Sequence, residues 1–329
     1  MIKNQAIPKT VDEVADICEQ IINEVEKAII GKREILQKIL AAILSSNGHI
    51  LLEDYPGLAK TLIANSIASV LGLDFKRIQF TPDLLPGDIS GGYIFDNRKN
   101  EFVLRKGPLF TNILLADEIN RASPKTQSAL LEAMQEGQVS LEGEILKLPD
   151  PFIVIATQNP IEYEGTFPLP EAQLDRFIMR LSVGYPSIED EQEILARRSN
   201  RKQDAVRMSQ VIDPTVFLAM RGVIENVFVD PDIQRYIVQL VEKSRNHPNV
   251  ELGASPRGSL ALLKLARSWA AIHRRDFVLP DDVKLLTPHA LGHRIILDPG
   301  LWGSKTAEKK VINEVIQSVP VPVTVQKNG

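Results

Sequence analysis

The segment His49-Ile50-Leu51-Leu52-Glu53-Asp54-Tyr55-Pro56-Gly57-Leu58-Ala59-Lys60-Thr61 decides the fold. It opens on a short apolar run that stops at Pro56-Gly57, as a buried strand does when it meets a turn. Beyond Lys60, the residues Leu62, Ile63, Ile67 and Val70 recur at helical spacing as far as Leu71. A strand, a tight turn and a helix in that order aim backbone N–H groups and a helix N-terminus at one point, which suits a phosphate. A phosphate cradle also needs a lysine for the outer phosphates and a hydroxyl for Mg2+. Gly57, Lys60 and Thr61 supply those types at the required spacing.

The loop departs from G-x-x-x-x-G-K-[ST] at two positions, because Asp54 and Ala59 stand where glycines are expected. Ala59 is expected to begin the helix with a negative φ, where a methyl group causes no strain. The Asp54 carboxylate must point away from the phosphates, which it would repel.

Outward from this loop, Asn112–Ala116 and Phe152–Ala156 are further apolar runs, suited to central strands of a parallel sheet covered on both faces. The first run leads into Asp117-Glu118. There Asp117 can hold the hydrated Mg2+ bound to Thr61, and Glu118 can polarise an attacking water as general base. Helical segments at Val11–Lys27 and Arg33–Ser46 precede the first strand, and strands alternating with helices predict an α/β domain. Gly91–Lys106 and Gln138–Leu148 each contain two short β-like runs around a turn, so both are expected as inserted β-hairpins. Beyond residue 200 the pattern becomes helical, over Pro214–Val227, Pro231–Asn246, Arg257–His273 and Pro280–Ala290, with Arg198–Asp213 as the linker. Residues 1–200 and 201–329 are therefore expected as two domains.

Composition narrows the function classes. A net charge of -4 and a pI near 5.8 give no bulk attraction to nucleic acid or to an anionic membrane. Cys18 is the only cysteine, so no intrachain disulfide is possible, and its apolar neighbours Val14, Ile21 and Ile22 mark it as a buried hydrophobe. The chain opens on a charged amphipathic stretch, and no apolar run reaches the ~18 residues of a membrane span. A cytoplasmic protein without membrane insertion is expected. His289 and His293 have metal-ligand spacing on a helix, but no third ligand accompanies them, so no zinc site is expected.

Asp117-Glu118-Ile119-Asn120-Arg121-Ala122, with Gln127–Glu136 after it and Gly107-Pro108-Leu109-Phe110 before it, resembles the signature of MoxR-type AAA+ ATPases. So do Ala156-Thr157-Gln158-Asn159-Pro160, Leu169–Phe177 and Gly253-Ala254-Ser255-Pro256-Arg257. The resemblance covers essentially the whole chain in the expected order. It implies a P-loop AAA+ parallel-sheet core with inserted β-hairpins and a smaller all-helical lid domain.

The same resemblance implies ATP and Mg2+ as ligands, with Asp54, Tyr55, Pro56, Gly57, Leu58, Ala59, Lys60 and Thr61 around the phosphates and Ile29, Ile30 and Gly31 at the adenine. Asn159 would be the sensor that orients the lytic water, Arg176 the arginine finger that reaches a neighbouring subunit's site, and Arg257 the second sensor. Plainer readings exist for each: an interhelix turn at 29–31, a strand cap at Asn159, an Arg176–Asp175 surface pair, and a helix-start arginine at 257. Whether Arg257 serves its own site or a neighbour's stays open. The family further implies a ring, six subunits by expectation, that remodels protein clients, including partners with von Willebrand factor A domains. Two alternatives are a nucleic-acid motor and an ATP-binding regulatory module that hydrolyses poorly. Glu142 and Glu144 at the second hairpin's tip would repel phosphates and count against the first. The presence of Glu118, Asn159 and Arg176 counts against the second.

Overall fold

The computed structural model describes residues 6–159 and 166–322. In chain order the elements are α1 (Val11–Val25), α2 (Arg33–Leu44), β1 (Ile50–Glu53), α3 (Lys60–Leu71), β2 (Phe75–Gln79), α4 (Pro86–Ser90), β3 (Gly91–Asp96), β4 (Glu101–Lys106), β5 (Ile113–Asp117) and α5 (Pro124–Glu136). They continue as β6 (Gln138–Leu141), β7 (Glu144–Lys147), β8 (Ile153–Gln158), α6 (Glu171–Leu174), β9 (Met179–Leu181) and α7 (Ile188–Arg201). The remainder are α8 (Pro214–Glu225), α9 (Pro231–Arg245), β10 (Val250–Leu252), α10 (Pro256–Ile272), α11 (Pro280–Leu291), β11 (Ile296–Leu297) and α12 (Lys305–Ser318).

Five strands form one parallel sheet in the order β2-β5-β8-β1-β9. Alternate residues of the central strands feed two separate cores. Ile50, Leu52, Ile113, Leu115, Ile153 and Ile155 enter the core on one face, and Leu51, Leu114, Ala116, Val154 and Ala156 enter that on the other. Both faces are thus buried, which is why these strands read as unbroken apolar runs and not as alternating ones. The first core continues into α1–α3 and the lid helices, and α1 and α2 pack on α8 and α10. The second core is closed by α5.

Helix starts follow local chemistry. Thr10 accepts from the Glu13 N–H while Glu13 accepts from the Thr10 N–H, and Asp213 accepts from the Thr215 and Val216 N–H groups ahead of Pro214. Both inserted hairpins form, β3 with β4 and β6 with β7, and the Tyr93 hydroxyl ties them by donating to Glu144 Oε2 at 2.6 Å.

The C-terminal part is helical with one addition, the antiparallel ribbon of β10 and β11. The expected linker at Arg198–Asp213 starts later than its polarity suggested. α7 runs to Arg201 and ends where Lys202 turns left-handed at φ 59°. Its first turn is closed by a reciprocal Ser187–Asp190 cap, which holds helix despite the polar sequence. No helix among the described residues is long and apolar enough to cross a membrane.

Two histidines, His49 and His293, are buried in the frame, and His289 is half-buried. His49 accepts from the Val154 N–H at Nδ1 (3.0 Å) and faces the Met134 carbonyl at Nε2 (3.0 Å), so only the neutral Nε2–H tautomer satisfies both partners. Lys38 Nζ lies 3.0 Å from His289 Nε2, and His293 Nε2 faces the Phe177 carbonyl at 2.9 Å. Burial pulls His49 and His289 down to about 4 and His293 well below its ordinary value. An unfolded chain binds these protons below about pH 6.5 while the fold does not, so stability is complete above that pH and is lost as pH falls toward 4. Urea unfolding at pH 7 and pH 5 checks this. Each buried histidine contributes a slope approaching about 1.4 kcal/mol per pH unit in that window.

Candidate functional site

The carboxyl ends of β1, β2, β5 and β8 share one edge of the sheet, where open α/β folds bind ligands. A cavity of about 440 Å3 opens there, lined by Pro56 through Leu62 and by Arg77, Gln79, Asp117, Glu118 and Asn159. Loop, acid pair and Asn159 were each expected from sequence, and the fold brings them together. Pro160 of the same motif lies outside the described residues.

Two loop positions carry the local geometry. Gly57 sits at φ 84°, a conformation that favours glycine. Ala59 was expected at a negative φ, but it lies at φ 55°, ψ 17°, one residue before helix α3 begins. The tight loop needs a left-handed residue before the first helical turn, and a Cβ there costs about 1 kcal/mol. Asp54 does turn away from the cavity. It is 5% exposed, and its carboxylate accepts from the Ser182 hydroxyl (2.7 Å) and from the N–H groups of Val183 (2.5 Å) and Gly184 (3.3 Å). That fastens the loop to the segment after β9 and keeps the negative charge satisfied inside the protein. Lys60 Nζ folds back to donate to the carbonyls of Asp54 (2.7 Å) and Tyr55 (3.1 Å). Burial lowers its proton affinity, and Asp54, Asp117 and Glu118 oppose that shift.

The acid pair is held from three sides. The Thr157 hydroxyl on β8 donates to Asp117 Oδ1 at 2.6 Å and accepts from the Glu118 N–H at 2.8 Å. Arg77 on β2 donates to Asp117 Oδ2 from Nε (3.2 Å) and from a terminal nitrogen (2.7 Å). Gln79 donates to Glu118 Oε2 at 2.6 Å, and Arg121 Nε lies 3.2 Å from the same oxygen. Glu118 is left-handed at φ 56°, which turns its side chain off the strand direction into the cavity edge. Arg77, Gln79 and Thr157 were missed as site residues. Thr157 lies in a quoted motif and could have been found there. Arg77 and Gln79 belong to a strand too short and polar to be read.

The remaining expected residues stand apart from this cavity. Arg176 and Arg257 line a second cavity of about 240 Å3 with Lys264, Arg294 and Asp175. Asp175 is taken by Arg294 (2.7 Å) and the Ser255 hydroxyl (2.9 Å), with Arg257 at 4.0 Å, so it does not serve Arg176 as a dedicated partner. The Arg176 Nε is buried without a hydrogen-bond partner among the described residues, and desolvation, then the Arg257 charge, lower its proton affinity. Ile29, Ile30 and Gly31 form the turn between α1 and α2, outside the lining of the phosphate-loop cavity. Gly31 is left-handed at φ 71°, and a Cβ there would meet the Asp190 carboxylate at 2.0 Å.

Comparison with known proteins agrees with this geometry. Residues 49–179 match the ATPase family associated with various cellular activities (AAA), and residues 242–316 match the AAA lid domain. The chain is 46% identical to YeaC of Bacillus subtilis, over 95% of this chain and 97% of that one. It is 44% identical to Chaperone MoxR1 of Mycobacterium tuberculosis, over 92% of this chain and 82% of that one. A crystal structure of a candidate ATPase from Cytophaga hutchinsonii superposes with a TM-score of 0.88 at 38% identity, covering 95% of this chain and 97% of that one. With the phosphate loop, the paired acids at a strand end and the helical lid all in place, the chain belongs to the MoxR family of AAA+ ATPases.

Proposed function

We propose that this protein binds ATP with Mg2+, hydrolyses it at the sheet edge, and does so in a ring whose neighbouring copy completes each site. The observation that carries the reading is the division of residues between two cavities. Lys60, Thr61, Asp117, Glu118 and Asn159 meet in one, while Arg176 and Arg257 meet in the other. A site completed by a second copy accounts for both.

The donor set fits the ligands. A hydroxyl and a carboxylate, Thr61 and Asp117, are oxygen donors of the kind magnesium takes, beside a lysine for the outer phosphates. When bound, Mg2+ supplies charge neutralisation on the phosphate oxygens. In this reading Lys60 leaves its loop carbonyls for the outer phosphates. Glu118 accepts the proton of a water whose oxygen attacks the γ-phosphorus as the bond to the bridging oxygen breaks, giving ADP and inorganic phosphate. Asn159 orients that water. Arg176 of a neighbouring copy stabilises the charge that develops, and that copy's Arg257, which shares a cavity with its Arg176, acts beside it in this site.

The ring then works, in the cytoplasm, as a chaperone-like remodeller or activator of partner protein complexes. Six subunits and clients with von Willebrand factor A domains are the family's expectation. Residues 1–200 form the nucleotide-binding domain and 201–329 the lid in this proposal. The acidic tip of the β6–β7 hairpin, Glu142 and Glu144, opposes a nucleic-acid track. The test is ATP hydrolysis by the purified protein beside its mass in solution, with and without ATP and Mg2+. Turnover per subunit that rises with concentration as a large oligomer forms supports the reading. A monomer that binds ATP without hydrolysing it contradicts it.

A further inference from the structure

A cation already sits on the acid expected to hold magnesium. Arg77 and Gln79 are two residues apart on β2, so their side chains share one face of this edge strand. Charged side chains on an edge strand ordinarily run out into solvent and protect the open edge. Arg77 instead lays its guanidinium fork on Asp117 Oδ2, at 2.7 and 3.2 Å, while Thr157 occupies Oδ1 at 2.6 Å. Protein donors therefore meet both oxygens of Asp117. The same Arg77 terminal nitrogen donates to Gln79 Oε1 at 2.9 Å, and Gln79 passes its own donor to Glu118 Oε2 at 2.6 Å.

We propose that Arg77 is a positioning residue, the resident counter-cation of Asp117, which surrenders that carboxylate when Mg2+ enters with the nucleotide. The inference rests on the nucleotide-binding reading above. A guanidinium and a divalent ion cannot both sit close to one carboxylate oxygen without strong mutual repulsion. Arg77 has a way out, because its side chain is 47% exposed and its contact to Gln79 does not depend on Asp117. Until the metal arrives, the guanidinium keeps two neighbouring carboxylates from repelling each other and holds Asp117 in place. The cost is competition. Metal must displace a bound cation, so Arg77 weakens the contribution that metal makes to nucleotide affinity. Arg77 is the half-exposed partner of the pair, and the Thr157 hydroxyl still donates to the largely buried Asp117 without it, so removing the guanidinium should leave the fold intact.

Binding of a fluorescent ADP analogue, in Mg2+ and in EDTA, separates these effects without turnover. The ratio of the two dissociation constants reports what the metal contributes. For Arg77→Gln the ratio is expected to rise about ten-fold over the unsubstituted protein, through tighter binding in Mg2+, and Arg77→Lys, which keeps a charge without the fork, should fall between them. A ratio that is unchanged or lower in Arg77→Gln, with ADP still bound by the unsubstituted protein, overturns the role of Arg77 alone. No ADP binding by the unsubstituted protein in either buffer overturns the nucleotide-binding reading and this proposal with it.

Discussion

Glu118→Gln is expected to lower ATP turnover by about 10²–10⁴-fold, the range for loss of a general base, while ATP binding persists and the oligomer is stabilised. The substitution keeps the side chain's shape. A glutamine at 118 still offers an oxygen to the Gln79 amide and to Arg121, so the hydrogen bonds that hold the position survive. The Thr157 hydroxyl engages the backbone N–H of residue 118, which the change does not touch. What disappears is the ability to take a proton from water. Phosphates are held by other groups, chiefly the loop and Lys60, so nucleotide affinity should change little. Steady-state turnover, an ATP titration and the mass of the complex read the three effects separately. Undiminished turnover would remove Glu118 from the role of base.

Arg176→Ala is expected to cost about 10³-fold in turnover, the lower end of what an arginine finger supplies, with ATP affinity nearly unchanged. The separation between kcat and KM follows from position. Arg176 does not line the cavity that holds its own chain's Lys60 and Glu118, so removing it takes nothing from nucleotide binding there. Nor should the fold suffer. Its Nε is buried without a hydrogen-bond partner among the described residues, and the repulsion from Arg257 is opposed only by the charges of Glu132 and Glu136, so alanine relieves a desolvation cost as well as removing contacts. Equal losses in affinity and turnover, or a fall in melting temperature large enough to explain both, would contradict a finger acting across an interface.

The central strands, α3 and both hairpins were legible because each carries a strong local signal. β1, β5 and β8 are buried on both faces and read as apolar runs, while the hairpins turn at Asn97-Arg98-Lys99-Asn100 and Glu142-Gly143. Weak signals hid the rest. In β2 only Ile78 is buried, and Lys76, Arg77 and Gln79 give the strand the look of a loop. β9, β10 and β11 have three, three and two residues, too short for a period to register. α12 opens on Lys305–Lys310 and buries only Val311, Ile312 and Val315, so its polar first half masks it.

The site divides in the same way. Lys60, Thr61, Asp117 and Glu118 announce themselves because their chemistry is tied to adjacent positions in sequence. Arg77 and Thr157 reach Asp117 only through strand pairing, Arg77 from β2 and Thr157 from β8, which is information held by the sheet order and not by spacing. The conformation of Ala59 was misjudged for a related reason. Its place beside the helix suggests helical φ, but Ala59 is the N-cap residue of α3, where the tight loop ends left-handed before the helix begins.

A site shared between two copies is tested most directly by mixing Glu118→Gln with Arg176→Ala. Each variant should be nearly inactive alone. In a mixed oligomer, a subunit that keeps Glu118 can sit beside one that keeps Arg176, and that junction is complete. A shared site predicts ATP turnover in the mixture well above the sum of the two separate activities, rising as subunits exchange. A mixture that forms joint oligomers by mass yet turns over no faster than that sum would contradict it.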